Sequence, residues 1–219
     1  MKNRPDLSFP GRLLAPMLIT LLFAAPAHAS IQEMKVTGAI KPDACQFSLP
    51  QGNTADYGTI PVTKLNDTRR SKLTPLKIQF NLQCVAPTRI ALRILDNRPD
   101  DVIEAYKGID MSYGIGRLGK KRIGVYYIRV EVKGNDTSGA PLTSLRTGHG
   151  RHAWDFGNIA GPQASNTWST DGQRQPTPVT SVQGLFSIEP VIDNIDQRLT
   201  GKAQEVALDG SATVELEYL

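Results

Sequence analysis

The chain has 219 residues, with 25 Lys and Arg against 21 Asp and Glu and a net charge of +4. Lys2, Arg4, Arg12 and Asp6 all lie within the first 29 residues, so the rest carries +2 over 190 residues. That near-neutral balance gives no electrostatic case for nucleic acid, and the length fits one domain with a substantial core.

The N-terminus reads as an export signal. A cationic leader precedes residues 13–25, "LLAPMLITLLFAA", in which only Thr20 is polar, and Ala27-His28-Ala29 is a small-x-small cleavage site. The apolar run is shorter than the about 20 residues a bilayer span needs. The expectation is a cleaved signal at 1–29 and one exported domain over 30–219; an uncleaved anchor or a buried helix is the alternative.

The mature region reads as strands. "EMKVTGAI" from Glu33, "ACQFSL" from Ala44 and "DYGTI" from Asp56 come first, followed by the clearest one, "LKIQFNLQC", residues 76–84. Here Leu76, Ile78, Phe80, Leu82 and Cys84 point one way and Lys77, Gln79, Asn81 and Gln83 the other, the period of a half-buried strand. "TRIALRILDN" puts Ile90, Leu92 and Ile94 inward, and Pro87 between the two segments suggests a turn and an antiparallel pair. "DDVIEAYKG" from Asp100 suits a short helical turn. Further strands are expected from Ile123, Val182, Ala203 and Ala212, while 138–180 is rich in Gly, Pro, Ser and Thr and reads as long loops with short strands. Many short strands separated by turn residues predict an all-β sandwich or barrel. Cys45 and Cys84 are an even pair in an exported chain and read as one disulfide, with two buried free thiols as the alternative.

Residues 112–124, "SYGIGRLGKKRIG", contain Gly114, Gly116 and Gly119 at the G-x-G-x-x-G spacing. A dinucleotide site needs a helix after the last glycine, to aim N–H groups at the pyrophosphate. Here "KKRIGVYYIRVEV" follows, which reads as a strand, and Lys120 precedes Lys121 rather than the Ser or Thr of a phosphate loop. The stretch therefore reads as a glycine-rich bend, with no nucleotide and no cofactor. His149 and His152 lack the third and fourth ligands of a metal site, and no G-x-S-x-G elbow marks a hydrolase, so the chain reads as a non-enzyme. Trp154 and Trp168 stand in the polar region, either stacking a sugar at a receptor surface or covering the end of a sandwich.

At the C-terminal end Ala212, Val214, Leu216 and Tyr218 alternate with Thr213, Glu215 and Glu217, and the last residue is Leu219. Ends normally fray, so something is expected to pair with or cover this strand. At the other end "VTGAIKPDACQF" is followed by "DYGTI" and by Cys84 closing a strand. In order, these motifs resemble subunits of bacterial chaperone–usher pili. Within them, Gly38, Ile40, Pro42 and Cys45, then Tyr113, Gly114, Gly116, Ile123 and Gly124, resemble a fimbrial-like group described as a domain of unknown function (DUF1120-type).

That resemblance implies an immunoglobulin-like sandwich lacking its final strand. A periplasmic pilus chaperone lends a strand to the groove, an outer-membrane usher receives the subunit, and another pilus subunit then supplies the permanent strand. Partner contacts are expected at Ala212, Val214, Leu216, Tyr218 and Leu219, with floor residues from the strand of Ile90 to Ile94. Only six residues from Ser30 precede Val36, a reach of roughly 20 Å. The chain is thus expected to accept a strand but donate poorly, which suits a pilus tip, with Trp154 and Trp168 facing a host or surface glycan. Two rival readings are a self-complete exported carbohydrate-binding sandwich and an exported hydrolase.

Overall fold

Alternation of apolar residues writes the long strands. In the computed structural model, Leu76–Thr88 form one strand (β3) with Phe80, Leu82 and Cys84 buried, and Ile90–Asp96 form the next (β4) with Ile90, Leu92 and Ile94 fully buried. The residues described are 45–61, 64–66, 68–134, 136, 138–148, 153–170, 172–194 and 207–219. All of them fall in one unit, Lys41–Leu219. The expected signal, the strand from Glu33, His149, His152 and most of the strand from Ala203 lie outside the described residues.

Two antiparallel sheets face one another. In the first, the order is β1 (Gln46–Ser48), β3, β13 (Val179–Ile192), β8 (Gly124–Lys133) and β11 (Ile159–Ala160), with β2 (Ser71–Lys72) on β13 and β5 (Tyr113–Gly114) on β8. In the second it is β10 (Trp154–Phe156), β9 (Leu142–Thr147), β12 (Ser165–Thr170), β4 and β14 (Ala212–Tyr218). A separate hairpin, β6 (Arg117–Leu118) with β7 (Lys121–Arg122), turns through Gly119 at φ +62°. Phe80, Leu82 and Phe186 of the first sheet and Leu92, Ile94 and Trp168 of the second belong to one core cluster. Each such buried side chain contributes about 1.5–3 kcal/mol. Phe47, Phe80 and Phe186 add an aromatic stack with centroids 5.9 Å and 4.7 Å apart along the series. Helical structure among the described residues is limited to short 3-10 turns such as Pro99–Asp101 and Glu104–Tyr106, where a helical turn was expected.

β3 and β4 do not form the expected hairpin. β3 pairs with β1 and β13, while β4 pairs with β12 and β14, so the chain changes sheet at Arg89. Thr88 still pairs with Val179, which keeps the segment around Pro87 extended rather than turned. Alternation fixes which face is buried but not which sheet a strand joins, and here the two apolar faces meet across the core. The segment at Asp56 also forms no strand. Its Tyr57 hydroxyl instead donates to the Ile188 carbonyl (2.8 Å) and accepts from the Leu76 N–H (3.3 Å), a side-chain substitute for ladder pairing. Cys45 and Cys84 are disulfide-bonded, tying the start of β1 to β3 across 39 residues of sequence.

A candidate strand-accepting groove

The glycine stretch builds one end of the site. Tyr113 is fully buried, stacks on Tyr126 at 5.2 Å and donates its hydroxyl to the Ile94 carbonyl (3.2 Å). Burial raises the pKa of both tyrosines, which stay neutral. Gly114 must be glycine, since a Cβ there would lie 2.1 Å from the Arg98 carbonyl oxygen. Its N–H donates to Asp96 Oδ2 (2.9 Å), and the Arg98 N–H donates to Oδ1 (2.8 Å). Burial raises the Asp96 pKa against the opposing pull of those two hydrogen bonds. Gly116, at φ +112°, passes beside Asp209, whose N–H donates to the Ile115 carbonyl (2.9 Å). The motif thus pins residues 208–210, from which β14 starts. Both Lys121–Arg122 and Gly124–Lys133 are strands, so no helix N-terminus follows Gly119.

Beside this end the sandwich opens. A cleft of about 470 Å³ lies between the segment after β1, represented by Leu49, Ala55 and Tyr57, and the start of the C-terminal strand, represented by Leu208, Gly210 and Val214. Its floor is core: Ile78, Ile94, Ile128, Phe186 and Ile188, from four strands of both sheets. At the polar end Asp209 is paired with Arg98 at 2.7 Å, and Gly210 rests on the Tyr126 ring.

The strand flanking this cleft has one free edge among the described residues. β14 pairs with β4 in an unbroken register from Ala212↔Asp96 to Tyr218↔Ile90 and has no other strand partner among the described residues. Two hydrogen bonds set the phase of this ladder, Asn97 N–H to the Ser211 carbonyl and Leu219 N–H to the Arg89 carbonyl, both at 3.0 Å. Odd-numbered residues from 211 to 219 therefore direct their backbone groups toward β4. Those of Ala212, Val214, Leu216 and Tyr218 point to the open side. An edge of this kind, over an apolar cleft, is a template for another strand.

The sequence-based site residues divide. Ala212 and Val214 line the cleft, with Ile94 from β4. Leu216 is half-buried against the core and does not line it. Tyr218 is 49% exposed, and its hydroxyl accepts the Cys45 N–H at 3.0 Å, so it clasps the disulfide end of the sandwich. The Leu219 N–H donates to the carbonyl of Arg89, the residue before β4, which continues the existing ladder by one step. Trp168 is fully buried in the core and forms no surface, because β12 runs between β9 and β4 with its Trp facing inward. Trp154 is half-buried on the edge strand β10, away from Trp168 in register. The sequence reading missed Phe47, Ile115, Ile128, Phe186 and Ile188 as cleft residues. Four of them lie in segments that read as strands and Ile115 in the glycine-rich bend, and none carried a sign of where the cover ends.

Among the described residues the arrangement is an antiparallel β-sandwich with a cleft at one seam. Residues 34–119 match the family described as Protein of unknown function (DUF1120). The chain is also similar to Protein GltF of Escherichia coli (strain K12), 23% identical over 249 aligned positions that cover 94% of this chain and 96% of the relative.

Proposed function

We propose that this chain is a fimbrial-type structural or adhesive subunit and not an enzyme. Its groove receives a strand first from a periplasmic chaperone and then, after passage through an outer-membrane usher, from a neighbouring subunit. The supporting observation is the coincidence of an apolar cleft between the sheets with an edge of β14, along its rim, that has no strand partner among the described residues. Strand addition satisfies both at once: ladder hydrogen bonds to the edge, and alternate side chains into the cleft. A pocket for a small apolar molecule would use the cleft and leave the edge unexplained.

The test is expression of the mature protein with and without a cognate chaperone. Recovery of soluble protein only as a one-to-one complex is expected. A mature protein that is soluble, monomeric and stable alone, and that takes up no strand peptide, sinks the reading.

A second reading, an exported carbohydrate-binding sandwich, has one local observation in its favour. Phe156 on β10 is 43% exposed, with the Arg174 guanidinium 5.5 Å from its ring centre and Asp155 3.4 Å from Arg174. An aromatic face beside a carboxylate and a guanidinium suits a sugar ring. Glycan binding that is lost in Phe156→Ala but kept in Val214→Pro supports it.

A further inference from the structure

We infer that the groove selects a cationic strand: an extended segment of another polypeptide with Val, Ile or Leu facing inward and Lys or Arg at the alternate, solvent-facing positions. The inference rests on the strand-accepting reading and concerns which strand is accepted.

The solvent face of β14 carries Thr213, Glu215 and Glu217. Arg93 lies directly opposite Glu215 in register, yet its guanidinium approaches Glu217, at 3.8 Å, and Glu217 also accepts a hydrogen bond from the Ser165 hydroxyl. The arginine opposite Glu215 is thus taken by Glu217, and Glu215 is exposed with no ion-pair or hydrogen-bond partner among the described residues. On the other rim, exposed Asp56 sits between the lining residues Ala55 and Tyr57, and its carboxylate accepts the Gly58 N–H at 2.7 Å. Asp209 at the groove end is already neutralised by Arg98. The rim charges without an ion-pair partner among the described residues, Glu215 and Asp56, are thus negative on both sides.

A strand added to β14 brings its outward side chains level with Thr213, Glu215 and Glu217, at cross-strand pairing distance. Opposite charges there are favourable and like charges unfavourable. The same acids oppose pairing of β14 with β14 of a second copy, which would set carboxylates against carboxylates across the new ladder. This is one way a sheet edge is guarded against its own kind. The apolar floor sets the alternation of the incoming strand and the acidic rim its charge.

The experiment compares two nine-residue peptides with identical Val and Ile at inward positions and either Lys or Glu at the outward ones. Binding to the oxidised protein is followed by fluorescence anisotropy at low and high salt. The Lys peptide is expected to bind about threefold to tenfold more tightly than the Glu peptide at low salt, from two or three cross-strand pairs. The preference should shrink at high salt and be lost or reversed in Glu215→Lys, a surface change that leaves the fold intact by circular dichroism. Equal binding of both peptides, or a preference that survives Glu215→Lys, overturns the charge selection and leaves strand acceptance standing. Binding of neither peptide overturns strand acceptance, and this inference with it.

Discussion

Proline placed at adjacent positions of β14 separates a free edge from a paired one. Proline removes one backbone N–H and fixes φ near −65°. At position 214 the missing N–H points to the open side, and at 215 it points to the Arg93 carbonyl. Val214→Pro therefore keeps every β4–β14 hydrogen bond and costs only the φ constraint and some packing, about 1 kcal/mol. This is the situation in which edge strands tolerate proline. Glu215→Pro breaks a ladder bond and leaves the Arg93 carbonyl unpaired, at about 1–3 kcal/mol in addition to the φ cost. The order reverses for binding. Val214→Pro deletes a donor from the accepting edge and puts a ring in the path of the incoming backbone, for a loss of at least the about 0.5–1.5 kcal/mol of one hydrogen bond, or about twofold to tenfold in Kd. Urea denaturation of the two variants and anisotropy with the Lys-bearing strand peptide measure both quantities. If Val214→Pro destabilises as much as Glu215→Pro, the 214 N–H is already used within this polypeptide and the free-edge argument fails. Unchanged peptide binding by Val214→Pro refutes pairing along β14.

Four further outcomes are expected. Removing the disulfide by Cys45→Ser with Cys84→Ser should cost up to about 4 kcal/mol in the chain-entropy account of a loop this long. Because Cys45 also presents its N–H to Tyr218, Tyr218→Phe should cost about 0.5–1 kcal/mol in the oxidised protein and close to nothing in the cysteine-free one, a coupling that thermal melts of the four combinations resolve. Gly114→Ala should be severely destabilising, by about 1–3 kcal/mol or more, since its Cβ would sit 2.1 Å from the Arg98 oxygen and 2.9 Å from Asp101 Cβ; urea midpoints of the variant and of Gly119→Ala, which meets nothing within 4 Å, separate this clash from loss of glycine as such. Asp96 has its pKa raised above 3.8 by burial, so the folded state binds its proton more tightly than the unfolded chain. Its contribution to stability is present below 3.8 and is lost as pH rises through the raised value. Asp96→Asn should lack that slope in pH-dependent denaturation and lose about 1–3 kcal/mol at neutral pH, because an amide accepts only one of the two N–H groups from Gly114 and Arg98.

Much of the fold was legible because alternation is a one-dimensional signal. The spacing of Leu76, Ile78, Phe80, Leu82 and Cys84, and of Ala212, Val214, Leu216 and Tyr218, fixed strand type and buried face from sequence alone. The two cysteines pointed to a bridge, with free thiols as the alternative, and the structure forms it. The context after Gly119 ruled out a phosphate-binding helix, since residues 121–133 favour strand locally. Sheet membership is a different kind of quantity. Whether Pro87 turns the chain within one sheet or β3 runs on to Thr88 and crosses to the other depends on which distant strand, β13 or β4, takes the ladder hydrogen bonds. Trp168 reads the same whether it covers a sandwich end or faces solvent, and only the strands on both sides of β12 put it inside. The groove is the extreme case: its floor residues are ordinary core residues locally, and they become a site only because the fold brings the segment of Leu49, Ala55 and Tyr57 and the segment of Leu208, Gly210 and Val214 to opposite rims, with a cleft between them among the described residues.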